Sequence, residues 1–98
     1  MDQTVETCRP ETCRIDVWLW RARFFKTRAL SAKFAEGGTL RLERFGQTSR
    51  IQKAGHSIRP GDRLTFAIGT RLIDVRVVDT GERRGPASEA QGLFEPCE

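Results

Sequence analysis

The hydrophobic period of this sequence changes at Gly37-Gly38, and that change limits what the chain can fold into. Before the two glycines, apolar residues recur at intervals of three and four; after them, apolar and polar residues alternate. The first pattern lays an apolar stripe along a helix, and the second sends alternate side chains to one face of a strand. Helices followed by short strands predict an α+β domain, with two N-terminal helices packed on one side of a small, mostly antiparallel, twisted sheet.

In the helical part, Asp16 is expected to cap a helix over residues 17–25, because a carboxylate accepts from the free amides of a first turn. Ile15, Trp18, Leu19 and Ala22 share its core face, while Val17, Trp20 and Phe24 make a second apolar stripe. A stripe of that size needs a cover. The C-terminal segment is the favoured one, since Ala87, Ala90, Leu93 and Phe94 follow Pro86 at the spacing of a short helix. Docking of another protein on that stripe is the alternative. Trp18 and Trp20 read as core residues rather than base-stacking platforms. Thr27 is expected to cap a second helix from Arg28 to Glu36, ended by Gly37-Gly38. Leu30 and Phe34 are expected inward, with Arg28, Ser31, Ala32 and Ala35 on another strip.

Beyond Gly38, Leu40 and Leu42 alternate with Thr39, Arg41 and Glu43 as in a half-buried strand. A weaker segment over residues 50–53 is expected to pair with it. Arg59-Pro60-Gly61-Asp62 has the chemistry of a tight turn, with proline presetting φ and glycine supplying a positive one. Leu64, Phe66 and Ile68 then alternate along a strand, Gly69-Thr70 fits a two-residue hairpin, and residues 72–78 return.

Charge is concentrated where the helices are. The chain has net charge +4, and residues 14–44 hold eight basic groups against three acidic ones. Such a local excess is the footprint of a phosphate-binding surface, and it is also what a solvated basic face looks like. An arginine at the N-terminus of a helix, as Arg28 is here, suits a phosphate: its fork donates paired hydrogen bonds beside unpaired amides.

A length of 98 residues fits one domain. Residues 1–13 are expected to form a disordered leader, 14–80 the domain, and 81–98 a tail with a short helix packing back. No apolar run approaches the roughly 20 residues that span a bilayer, and the start lacks a secretory pattern, so a cytoplasmic protein without membrane contact is expected. Cys8, Cys13 and Cys97 are an odd set, and His56 is the single histidine. They offer neither a disulfide framework nor the spacing of a zinc site. No nucleophile with a base and no glycine-rich phosphate loop is present, so no enzyme and no cofactor are expected.

Arg14-Ile15-Asp16-Val17-Trp18-Leu19-Trp20, Lys26-Thr27-Arg28, Glu36-Gly37-Gly38 and Ile58-Arg59-Pro60-Gly61-Asp62 follow one another as the signatures of the S4 RNA-binding domain do. The chain resembles that family over about two-thirds of its length. Residues 18–28 and 82–90 are similar to the free-standing bacterial heat-shock proteins of about fifteen kilodaltons within it. The resemblance implies an S4 fold (αL motif) that binds structured RNA through its second helix and adjacent strand, and no catalysis. Ribosomal RNA of the large subunit, with peptidyl-tRNA on blocked subunits, is the implied partner, and ribosome rescue or the heat-shock response the implied setting. DNA is the weaker expectation, and a monomer is expected. By motif position and charge, the RNA-binding set is Arg14, Lys26, Thr27, Arg28, Ser31, Lys33, Arg41 and Arg44. Two departures stand out: Leu42-Glu43-Arg44-Phe45-Gly46 replaces a Val-Asn-Gly turn, and Lys53-Ala54-Gly55 replaces Lys-Pro-Ser.

Overall fold

A computed structural model describes residues 12–97. Most of the expected leader, with Cys8, lies outside the described residues. Cys13 belongs to a strand: β1 (Cys13–Arg14) pairs antiparallel with β4 (Ser57–Ile58), Cys13 facing Ile58 and Arg14 facing Ser57.

Helix α1 (Ile15–Arg21) starts two residues earlier than the sequence pattern predicts, with Arg14 at the N-cap. Asp16 is therefore inside the first turn, not at the cap. Its Oδ1 accepts from the Val17 amide at 2.8 Å, and the carboxylate also takes both prongs of Arg14. The helix also ends earlier than Phe25. Arg23 enters the left-handed region (φ 68°), its amide donates to the Trp20 carbonyl, and the Phe24 amide donates to Leu19 at 3.0 Å. That pair of bonds reverses the chain at a helix C-terminus, and it turns Phe24 back onto the core.

Helix α2 (Arg28–Glu36) begins as expected: Thr27 Oγ1 accepts from the Leu30 amide at 3.1 Å. Its rotation differs from expectation. Ser31 and Ala35 are fully buried, Phe34 is half-buried, and Leu30 is 49% exposed. Small side chains let α2 come close to α1, against which it packs, so the strip expected to carry Arg28 along an outer face turns inward after its first residue.

The sheet contains, in chain order, β2 (Leu40–Arg44), β3 (Gln47–Ile51), β5 (Arg63–Ile68), β6 (Arg71–Val77) and β7 (Phe94–Pro96). Their spatial order is β3-β2-β5-β6-β7, antiparallel throughout. The β2–β3 hairpin turns at Phe45-Gly46, both with positive φ (54° and 76°), which matches the twist of the strands it joins. Gly61 supplies the positive φ (99°) that its turn needs, and Gly69 starts the β5–β6 turn. The weak strand is longer and earlier than residues 50–53, because the tight turn sets register from Arg44 facing Gln47.

One face of the sheet supplies Leu40, Leu42, Ile51, Leu64, Phe66, Ile73, Val75 and Val77 to a core shared with Ile15, Trp18, Leu19 and Ala22. The Trp18 indole donates to the Asp79 carbonyl at 2.9 Å, which anchors α1 beside the end of β6. The tail covers Trp20 and Phe24 of the second stripe. It forms a short helix α3 (Ala87–Ala90), a 3-10 turn (Gln91–Leu93), and then β7 on the edge of the sheet. Phe94 is thus in a strand facing Val77, not on a helix as its spacing indicated. Its ring lies 4.9 Å from that of Phe24, while Arg84 donates to the Trp20 carbonyl and sits 5.9 Å from the Trp20 ring.

Candidate nucleic-acid interface

The β1–β4 pair and the N-terminus of α2 bring three arginines to one corner. Arg14, Arg21 and Arg28 all act electrostatically on the Cys13 thiol, whose pKa burial nevertheless raises. They have different tasks. Arg21 Nη1 donates to the Thr80 and Gly81 carbonyls and to Cys13 Sγ, so it braces the tail. Arg14 is held as a planar fork, with Nε and Nη2 each 3.0 Å from an Asp16 carboxylate oxygen. Hydrogen bonding to Asp16 raises its pKa further. The guanidinium rests on Gly55, where an added Cβ would meet its Cζ at 3.8 Å. Its side chain remains 56% exposed while Asp16 is 5% exposed, so one side of the fork faces solvent in a fixed orientation.

Arg28 opens α2 on its exposed side, preceded by exposed Lys26 and followed by exposed Lys33. None of these three makes an ion pair with a described residue. Lys26 and Arg28, beside the unpaired amides of the first turn of α2, form a site with a strong preference for anionic oxygen, and Lys33 adds charge from the last turn of the same helix. Thr27 lies among them, its hydroxyl oxygen used by the Leu30 amide as a cap.

The remaining expected residues fall elsewhere. Ser31 is buried, and its hydroxyl donates to the Thr27 carbonyl at 3.3 Å, so it shapes the α1–α2 contact and does not reach a ligand. Arg44 forks onto Asp62 at 2.8 and 2.7 Å and donates to the Ser57 carbonyl at 3.3 Å. This neutralised arginine is a structural tie between β2 and the start of β5. Arg41 points out of the sheet face opposite the helices, since its neighbours Leu40 and Leu42 point into the core. It stands directly across from Arg50, an exposed pair of like charges apart from the Arg14–Arg28 corner.

No protein-family model matches the chain. The solved structure of heat shock protein 15 from Vibrio cholerae, described as trimeric, superposes with a TM-score of 0.76 at 33% identity, covering 89% of this chain and 83% of that one. The chain belongs to the heat shock protein 15 family. Heat shock protein 15 of Escherichia coli K12 is 42% identical over 82 residues, which are 84% of this chain and 58% of its relative. The homolog from Aeromonas salmonicida is 39% identical over 85 residues, 87% of this chain and 61% of that protein. The chain therefore spans about three-fifths of the length of these two relatives, 58% and 61%. The α+β architecture, helices on a mostly antiparallel sheet, is that of the heat shock protein 15 neighbour.

For this family member, the sequence reading missed Arg50 and Arg59, and assigned His56 no task. Arg50 becomes visible only once the hairpin register sets it opposite Arg41. Arg59 lies within 5.4 Å of the Phe45 ring, a contact across separate turns that spacing cannot show. The His56 carbonyl accepts from the Ile15 amide at 2.8 Å, which places the residues 53–56 loop against the start of α1.

Proposed function

We propose that this chain is a non-catalytic protein that binds structured RNA, with ribosomal RNA of the large subunit as its target and ribosome rescue under heat stress as its setting. The observation that carries this reading is the fixed Arg14 fork near Arg28 at the start of α2, both acting on the Cys13 thiol, with exposed Lys26 just before the helix and exposed Lys33 in its last turn. Lys26 and Arg28, which pair with no carboxylate among the described residues, suit phosphate beside a helix N-terminus, and the S4 resemblance supplies RNA as the phosphate polymer. Binding on this model positions the protein on the backbone and shape of a folded RNA rather than on its base edges. If about five phosphates are neutralised, affinity falls roughly as the fourth power of salt concentration.

The alternative, docking of another protein on the Val17, Trp20 and Phe24 stripe, loses support because Phe94 and Arg84 lie over Phe24 and Trp20. Self-association enters the reading in place of the expected monomer, since the Vibrio cholerae relative is described as trimeric. Several copies on one RNA would raise overall affinity by linking binding events.

The test is equilibrium binding to purified large ribosomal subunits and to their RNA across a salt series. The comparison is between the native chain and a Lys26→Ala, Arg28→Ala, Lys33→Ala variant. Salt-sensitive binding that the variant loses, with circular dichroism unchanged, supports the reading. Equal binding by the variant rejects this face, and no binding at low salt rejects RNA as the ligand.

A further inference from the structure

Phe45 stands at the tip of the β2–β3 hairpin with 88% of its surface in solvent. Its φ of 54° is in the left-handed region, which a bulky side chain enters at a cost that glycine avoids. An exposed aromatic ring in a conformation unfavourable to it contributes nothing evident to folding. The Arg59 guanidinium carbon lies 5.4 Å from the ring centroid. Beside the ring opens a depression of about 400 Å³, lined by Leu42, Arg44, Gln47, Thr48, Ser49 and His56 as well as Phe45.

The chemistry of that lining is selective. Leu42 supplies an apolar floor, and Arg44 is already neutralised by Asp62. Gln47, Thr48, Ser49 and His56 bring hydrogen-bond donors and acceptors. A bare anion has no use for the aromatic ring, and an aliphatic ligand has none for the polar rim. A flat aromatic ring with a heteroatom edge uses both.

The depression is tied to the arginine corner through residues 56 and 57. Ser57 is the cross-strand partner of Arg14, and its carbonyl accepts from Arg44 at 3.3 Å. The neighbouring His56 is bonded to Ile15 and lines the depression. The backbone bonds of residues 56 and 57 thus hold the Arg14 strand and the depression in a fixed relation.

We propose that Phe45 is a stacking platform for an unpaired nucleobase, whose edge meets Gln47, Ser49 and His56 while Arg59 and Arg14 flank its phosphates. The proposal rests on the RNA-binding reading above and adds to it a single-stranded nucleotide next to the folded region. Stacking accepts any base, so the site selects for an unpaired residue more than for a sequence.

The test uses the full chain and two synthetic RNA hairpins, one with a short unpaired adenosine tail and one whose tail is abasic but keeps every phosphate. The native chain is expected to bind the adenosine-tailed RNA about tenfold more tightly than the abasic one. Phe45→Ala should remove that difference by weakening only the adenosine-tailed complex, and Phe45→Trp should retain it. Quenching of 2-aminopurine placed in the tail should follow the same order. Equal binding of both RNAs by the native chain, or an unchanged preference in Phe45→Ala, overturns the stacking site and leaves RNA binding standing. Failure of the native chain to bind either hairpin, or the ribosomal RNA, overturns both.

Discussion

Arg44 and Asp62 form a two-pronged ion pair, Nε to Oδ1 at 2.8 Å and Nη2 to Oδ2 at 2.7 Å, with the Asp62 side chain 2% exposed. The pair joins the end of β2 to the turn before β5, and the same carboxylate accepts from the Arg59 amide at 3.0 Å. Arg44→Ala would leave a buried carboxylate with that one amide. The expected loss is about 2–3 kcal/mol, below the usual cost of breaking a buried pair because the amide remains. Urea unfolding measures it. Arg44→Lys should recover little, since an ammonium cannot reproduce the fork, and near-native stability of Arg44→Ala would return Arg44 to the RNA-binding set.

Ser31 separates the sequence expectation from the structure most sharply. On an outer strip, Ser31→Lys would be tolerated and would strengthen RNA binding by adding charge. In a fully buried position against α1, it overpacks the contact and buries an ammonium, and should cost at least about 2 kcal/mol. Thermal unfolding of the purified variant checks this.

Asp16→Asn reverses the prediction of simple charge counting. It removes a negative charge from the arginine corner, which alone would tighten RNA binding. It also releases the Arg14 fork that Asp16 holds at 3.0 Å on both prongs. Ordering a long side chain before binding spares that cost in the complex, so the variant is expected to bind RNA about two- to tenfold more weakly. Tighter binding by the variant at low salt would mean that Arg14 does not work as a preset fork.

Asp74 gives a pH dependence. Its carboxyl lies below the ordinary carboxylate range because Arg63 donates to it at 2.8 and 2.6 Å. The folded state therefore releases this proton more readily than the unfolded chain does. Stability from the pair is present above the unfolded carboxyl pKa of about 4 and is lost as pH falls through the lower folded value. Asp74→Asn should be less stable than the native chain by about 0.5–1 kcal/mol at pH 7, as befits a partly solvated pair. The difference should close in acid below about pH 4, as followed by unfolding at a series of pH values. A difference that persists unchanged into acid would assign the loss to packing instead.

Much of the architecture was legible because local chemistry and global fold agree. Thr27 caps α2, Gly37-Gly38 marks the change of period, Pro60-Gly61 makes its turn, and Leu64, Phe66, Ile73, Val75 and Val77 point into the core. Each depends on neighbours within a few residues. Errors arose where the deciding partner was remote. Helix α1 stopped short at Arg23, whose side chain donates to the Gly85 carbonyl 62 residues away, and Phe94 joined the edge of β6 rather than extending a helix. Among site residues, Lys26, Thr27 and Arg28 stand together as their contiguity required, whereas Arg41 went to the other face of the sheet and Arg44 to Asp62.

The sequence by itself determined the order of helices and strands, the membership of most of the core, and the concentration of positive charge between Arg14 and Arg44. These are properties of periodicity and composition, which act over short separations. The tertiary structure alone decided which of those cations remain without a carboxylate partner among the described residues. That outcome depends on contacts such as Arg44 with Asp62 and Arg63 with Asp74, separated by 18 and 11 residues, and on the rotation of α2 that hides Ser31. A charge count weighs every arginine equally; folding spends some of them on carboxylates and carbonyls and leaves the others in position for a ligand.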